Sequence, residues 1–170
     1  ESIVKADPAA TEYRVEEYSP ADVEVTDLST ADYIKKENLA QYMESGETYL
    51  RYDNYQKASE EYGEALRLAK NLKREEDTQE ADQYKKLAEQ IILADEAMTS
   101  GEYQKAQGLY LTAREMSVEA GNVGKSYIDS QLKQTKDYID VFDLIELGEQ
   151  KEAAGNMEGA VKTYKEARDK

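Results

Sequence analysis

Apolar and small residues recur along most of this chain with the spacing of an α-helix. After Asn54 they fall mainly three or four residues apart, which places them on one helix face. The members of this stripe are Tyr55, Ala58, Tyr62, Ala65, Leu66, Ala69 and Leu72. Similar stripes run through 81–98, 103–113 and 128–145. The pattern predicts an all-α domain of six helices, paired in three antiparallel hairpins over about 29–75, 77–121 and 126–170.

Pairs of polar residues mark the expected helix starts. Three pairs have the spacing of a capping box, in which side chains satisfy backbone N–H groups of the first turn. These pairs are Ser29 with Asp32, Asp77 with Glu80, and Ser126 with Asp129. We therefore expect Ser29, Asp77 and Ser126 to act as N-caps.

The first 28 residues have a different character. They contain both prolines, they are acidic, and they lack a sustained helical stripe. A short alternation, with Tyr13 and Val15 and later Val23 and Val25, hints at extended backbone. We predict that residues 1–28 form an acidic linker or stalk, extended or partly disordered, ahead of a helical domain over 29–170.

One short phrase occurs three times, as YDNYQKA, SGEYQKA and, more loosely, AGNMEGA. When the copies are aligned on Ala58, Ala106 and Ala160, a tyrosine follows four residues later and an alanine seven residues later. A small residue, glycine or alanine, stands twelve residues before each alanine, on the preceding helix: Gly46, Ala94 and Gly148. Two helices pack closely only where one of them presents a small residue. The phrase therefore predicts the bend of each hairpin.

This arrangement resembles the tetratricopeptide repeat (TPR), a family of helix–turn–helix repeats with aromatic and alanine positions at fixed offsets around the turn. The resemblance covers about residues 30–170 and implies a right-handed array of three helix hairpins. The usual period is 34 residues, whereas the three alanines are 48 and 54 residues apart. We therefore expect unusually long helices with less regular stacking.

The resemblance also implies a binding surface, because TPR domains commonly hold peptides along the first helix of each repeat. The matching positions are Met43, Glu47, Leu50 and Arg51, then Ile91, Asp95 and Met98, then Ile145, Glu149 and Glu152. Glu47, Asp95 and Glu149 would place one carboxylate per repeat at the same height, an acidic ladder that favours a basic or amphipathic partner segment. The alternative interpretation of this row is an ordinary solvated helix face.

Composition limits the chemistry available to the chain. It has neither cysteine nor histidine, which removes disulfides, thiolate metal sites, Ser-His-Asp triads and histidine acid–base catalysis. The loop GNVGKS lacks the spacing of a phosphate-binding loop. Asp137, Asp140 and Asp143 could hold a hard cation loosely, but no segment has the ligand spacing of an EF-hand. We expect no catalytic residues, no cofactor and no metal site.

The net charge limits the classes of partner that the chain can bind. A net charge of −15 repels nucleic acids and anionic membrane surfaces. We therefore expect a protein or peptide partner, whose identity the sequence leaves open. No apolar run approaches the roughly 20 residues needed to span a bilayer, so we expect no direct membrane insertion.

The chain begins at Glu1 rather than at methionine, so we expect it to belong to a longer protein. The first functional hypothesis is a non-catalytic scaffold for protein or peptide binding. The alternative is the sensory or regulatory region of a membrane-anchored bacterial signalling protein, for example a kinase or phosphatase, with its catalytic domain elsewhere. The acidic composition and the predicted stalk favour an extracytoplasmic location. A cytoplasmic location is the alternative.

Overall fold

The computed structural model describes residues 28–170, and all regular structure in that range is α-helical. The helices are α1 (Leu28–Arg51), α2 (Tyr55–Asn71), α3 (Glu75–Thr99), α4 (Tyr103–Glu119), α5 (Lys125–Ala153) and α6 (Met157–Arg168). The prediction of an all-α array of six helices is confirmed. The linker predicted for residues 1–28 lies outside the described residues, except for Leu28, which begins α1.

Consecutive helices pack against each other along the whole array. The α1–α2, α3–α4 and α5–α6 pairs form the three hairpins, and α2 with α3 and α4 with α5 join one hairpin to the next. The first helices of the hairpins have 24, 25 and 29 residues, and the second helices have 17, 17 and 12. A 34-residue repeat leaves about 15 residues for each helix, so most of the additional length lies in the first helices.

The bends between the helices share one backbone geometry. At each of the five, the N–H of the second residue after the helix cap donates to a carbonyl five residues earlier, as Asn54 does to Tyr49 at 2.9 Å. This bond defines the Schellman motif, which requires a left-handed residue just after the helix cap. The residues in that position are Asp53, Lys73, Gly101, Gly121 and Gly155. The recurring phrase therefore encodes a helix stop in this geometry.

Small residues allow the two helices of a hairpin to approach closely. A Cβ atom on Gly46 would lie 2.8 Å from the ring of Tyr62, and one on Gly148 would overlap the ring of Tyr164. In the second hairpin Ala94 and Tyr110 are fully buried. The small and aromatic positions that the repeat pattern paired are thus in contact in the first and third hairpins.

None of the three predicted N-cap residues occupies the N-cap position. Helix α3 begins at Glu75, its N-cap Arg74 makes no side-chain capping bond, and Asp77 lies in the first turn. Helix α5 begins at Lys125, directly after the left-handed Gly124. Ser29 also lies inside a helix, because α1 already includes Leu28. The start of α3 follows directly from the Schellman turn before it, so local turn geometry sets the boundary.

Side-chain caps occur at the bends of the first and third hairpins instead. Asn54 accepts a hydrogen bond from the N–H of Lys57 at 3.2 Å, and Asn156 accepts one from the N–H of Gly159 at 2.9 Å. Asparagine is among the best residues for this role. The two capping residues belong to the recurring phrase itself.

Candidate partner-binding groove

A groove runs along the C-terminal half of α1, between this helix and residues of α3, the α4–α5 loop and α5. It has a wide part of about 580 Å³ and a narrow part of about 280 Å³. The two parts adjoin, because Glu47, Leu50 and Val123 line both of them. We call the whole feature the α1 groove.

The wide part lies between the end of α1 and the start of α5. Its lining consists of Glu47, Leu50, Arg51, Asp53, residues 122–127 and Ser130. Arg51 and Lys125 provide positive charge here, and Glu47 and Asp53 provide negative charge. Arg51 and Glu47 form an ion pair at 2.8 Å across one turn of α1. The wide part is therefore polar and close to neutral.

The narrow part has a different character, and we call it the tyrosine–glutamate pocket. Its lining consists of Met43, Glu44, Glu47, Leu50, Tyr62, Glu80, Tyr84 and Val123. Three of these residues are acidic and none is basic. Glu44 and Glu47 are one turn apart on α1, whereas Glu80 comes from α3, so two helices contribute negative charge to one opening.

Two tyrosine rings are stacked beside this pocket. The rings of Tyr62 and Tyr84 have centroids 5.2 Å apart and are inclined by 27°. Tyr62 is only 1% exposed, held against Gly46, while Tyr84 is half-buried. The pKa of the Tyr62 hydroxyl is raised well above its usual value, mainly by burial and then by Tyr84, Glu47 and Glu80. Burial followed by Glu80 and Glu47 raises the pKa of Tyr84. Both hydroxyls therefore lie in the field of the same two carboxylates.

The four α1 residues predicted from the repeat pattern come together in this groove. Met43, Glu47, Leu50 and Arg51 all line one part of it or both. Leu50 is 3% exposed, so it belongs to the floor of the groove and to the core beneath.

The α3 residues of the predicted surface have structural roles instead. Ile91 is fully buried, and Met98 is half-buried, with its sulfur 3.5 Å from the Oγ1 of Thr135. Asp95 is half-buried, and its Oδ1 accepts hydrogen bonds from the hydroxyls of Tyr110 at 2.5 Å and Tyr127 at 2.9 Å. Asp95 thus joins α3 to α4 and α5, so it does not act as an open rung of an acidic ladder.

The α5 residues of the predicted surface do not line the α1 groove. Ile145 is half-buried, and Glu149 is exposed. Glu152 accepts a hydrogen bond from the hydroxyl of Tyr164 at 3.1 Å, within the third hairpin. Of the three proposed ladder carboxylates, only Glu47 lies in the groove.

Several groove residues were not predicted from the sequence. Glu80 was assigned to a helix start, but α3 begins five residues earlier, and this places Glu80 in the second turn, facing the groove. Val123 belongs to the α4–α5 connection and Lys125 begins α5, and the position of both depends on tertiary packing. Glu44 could have been found, because it lies one turn before Glu47 on the same helix face.

Two features of the described residues bear on metal binding and on membrane contact. Within residues 28–170 no three carboxylates converge as metal ligands would, and Asp140 instead forms an ion pair with Lys170 at 2.9 Å. That hydrogen bond lowers the pKa of Asp140. Across the same range, no helix combines the length and apolar character needed to cross a bilayer.

Comparison of the sequence with family models, curated proteins and solved structures finds no match. The function is therefore inferred from the geometry and charge of the groove.

Proposed function

We propose that this chain is a non-catalytic, TPR-like interaction scaffold, and that the α1 groove binds a basic, amphipathic segment of a protein partner. The partner would lie along the first helix of the first hairpin. This is where the resemblance to TPR domains places a bound peptide.

The acidic lining of the tyrosine–glutamate pocket is the observation that supports this proposal most strongly. Glu44, Glu47 and Glu80 surround one opening, and in the described residues only Glu47 has a cationic partner, Arg51. Carboxylates that share one opening repel each other, and a cationic ligand relieves that repulsion. The overall charge of −15 steers a basic segment toward the protein.

The groove also offers apolar contacts for an amphipathic partner. Met43, Val123 and the ring of Tyr84 are half-buried and line the pocket. Methionine adapts its shape to different apolar partners, and tyrosine provides a rigid surface with a polar end. A segment with alternating basic and apolar contacts therefore fits this groove better than a purely basic one.

A binding measurement with a synthetic peptide tests the proposal. Fluorescence anisotropy would follow a labelled amphipathic peptide of leucine and lysine at low ionic strength, where surface charge is least screened. We expect saturable binding by the protein and none of a matched leucine–glutamate peptide. The triple variant E44Q/E47Q/E80Q should weaken binding by about tenfold or more, since each lost charge contact contributes roughly 0.5–1 kcal/mol.

A second triple variant controls for net charge. E64Q/E96Q/E115Q removes the same number of acids from exposed positions outside the groove lining. Its affinity should stay within about threefold of the original. Equal weakening by the two triple variants would show attraction to net charge alone and would contradict a groove site, as would absence of binding.

A further inference from the structure

The tyrosine–glutamate pocket contains a polar group that the fold itself does not use. Tyr62 is 1% exposed, and its hydroxyl has no hydrogen-bond partner in residues 28–170. The other deeply buried tyrosines differ, because Tyr55 donates to Asp53 at 2.7 Å and Tyr110 donates to Asp95 at 2.5 Å. This hydroxyl is therefore free to bond to a group that enters the pocket from solvent.

The position of Tyr62 indicates where its partner would come from. The Tyr62 hydroxyl is not among the atoms of the described residues that are both fully buried and without a hydrogen bond, so it is within reach of solvent. Tyr62 lines the pocket together with Tyr84, and its pKa responds to Glu47 and Glu80. The hydroxyl therefore faces the opening that these two carboxylates flank.

The size of the pocket limits what can enter. Its volume of about 280 Å³ lies just below the range of roughly 300–1,000 Å³ typical of small-molecule sites. The lining combines apolar surface from Met43 and Leu50 with acids at the opening. A long side chain with an apolar stem and a charged end matches this arrangement, because lysine and arginine bury their stems and keep their charge near polar groups.

We propose that the tyrosine–glutamate pocket binds one lysine or arginine side chain of the partner segment, with its cationic end donating to the Tyr62 hydroxyl and to the carboxylates of Glu47 and Glu80. The stem packs on Met43 and on the ring of Tyr84, which also offers its face to the cation. Glu44 adds a third negative charge at the opening. This assignment rests on the proposed function and specifies the residue of the segment that anchors it.

A titration with single-residue probes tests this pocket directly. The ¹⁵N-labelled protein would be titrated with Nα-acetyl-lysine methylamide, with the arginine analogue, and with the norleucine analogue, which has an apolar chain without the charge. We expect affinities of about 1 mM for the cationic probes, since ligands of this size gain only a few kcal/mol. Amide shifts should centre on Gly46, Tyr62, Tyr84 and Val123.

The ratio of the lysine and arginine affinities identifies the favoured side chain. The norleucine probe should produce no saturable shifts, because it cannot donate to the carboxylates. Norleucine binding equal to lysine binding would overturn the proposal, as would cationic shifts that lie away from the pocket.

Two variants and one control test whether the Tyr62 hydroxyl and the Glu80 carboxylate bind the cationic probe. Y62F keeps the ring that packs on Gly46 and removes only the hydroxyl, and E80Q removes one carboxylate from α3. Each should weaken the lysine probe by about threefold or more, whereas E64Q, outside the pocket, should not. The amide spectrum of each variant reports whether the fold is kept. Unchanged lysine affinity in a folded Y62F would overturn the role of the hydroxyl.

The two proposals fail in different ways. If the amphipathic peptide binds and depends on the three groove glutamates, but the lysine and arginine probes leave the pocket unchanged, the scaffold function stands and the anchor pocket is wrong. If the probes bind the pocket and the peptide does not bind, the anchor pocket stands and the scaffold function is wrong.

Discussion

At the level of single residues, the five left-handed positions control where the helices stop. Three of them are glycines. The other two, Asp53 and Lys73, both have φ of 56°. A side chain in this conformation costs about 1 kcal/mol relative to glycine. The bends after α1 and α2 therefore contain strain at this position, which a glycine relieves in the other three.

Replacing Lys73 with glycine should stabilise the protein by about 0.5–1 kcal/mol, because glycine adopts positive φ without a steric penalty. Gly101→Ala should destabilise it by a similar amount, although nothing lies within 4 Å of the added methyl group. Urea unfolding followed by circular dichroism measures both values. Changes of the same sign would contradict the role assigned to these positions.

The contact between Gly46 and Tyr62 gives a second test at this scale. Gly46→Ala should destabilise the protein by about 1–3 kcal/mol, because the new Cβ would displace the buried ring. Gly108→Ala is the matched control: it is also in a helix, and nothing lies within 4 Å of its added methyl group. The control should be stabilising by about 0.5–1 kcal/mol. Thermal unfolding distinguishes the two, and a stabilising Gly46→Ala would contradict the close approach.

At the level of the helices, Asp95 is the polar junction of the array. Its carboxylate on α3 accepts from Tyr110 on α4 and Tyr127 on α5. The neighbouring Tyr55 and Tyr127 rings have centroids 5.0 Å apart, which brings α2 to the same place. A carboxylate that serves three helices keeps the second and third hairpins in register.

Removing the Asp95 carboxylate should therefore be costly. Asp95→Ala leaves two tyrosine hydroxyls without their acceptor, and we expect a loss of about 2–4 kcal/mol. Asp95→Asn keeps a carbonyl oxygen as acceptor and should lose less. Asp82→Ala on the same helix breaks only an exposed ion pair with Lys86 and should cost under about 1 kcal/mol. Denaturant unfolding of the three variants would contradict this role if Asp95→Ala matched Asp82→Ala.

At the level of the whole molecule, buried tyrosines link stability to alkaline pH. Burial is the largest cause that raises the pKa values of Tyr55, Tyr62, Tyr110 and Tyr127 above their usual value. In the unfolded chain these hydroxyls titrate near pH 10. Their contribution to stability is complete below about pH 10 and is lost as the pH rises through the raised folded-state values.

We therefore expect unfolding above about pH 10 to coincide with tyrosinate formation. Absorbance at the tyrosinate band and helical circular dichroism, recorded on one sample against pH, should change together for the buried tyrosines. Lysines also lose charge in this range but do not contribute to that absorbance. Complete tyrosine titration near pH 10 with the helices intact would contradict the burial of these side chains.

The fold was predictable from sequence because helical periodicity and the recurring phrase are local signals. The number of helices and their packing in consecutive hairpins agree with the structure. The starts near Asp77 and Ser126 were wrong, because a capping pattern competes with the turn before it. Repeat phase brought Met43, Glu47, Leu50 and Arg51 onto one face of α1.

The rest of the site depended on tertiary structure. Of the α3 positions that the repeat phase selected, Ile91 is buried in the core, and Asp95 bonds to Tyr110 and Tyr127. Glu80 and Val123 reach the groove only through the packing of α3 and of the α4–α5 loop. Such contacts between distant segments leave no periodic trace in the sequence.

The most direct test of the central claim is to map where the amphipathic leucine–lysine peptide binds. Amide chemical-shift changes in the ¹⁵N-labelled protein should concentrate on residues 43–53, 80–84 and 122–130. Their midpoint should move to about tenfold higher peptide concentration or beyond in E44Q/E47Q/E80Q and stay within about threefold in E64Q/E96Q/E115Q. Saturable shifts that fall instead on the C-terminal half of α5 or on α6, or that spread evenly over the acidic surface, would contradict a binding site in the α1 groove.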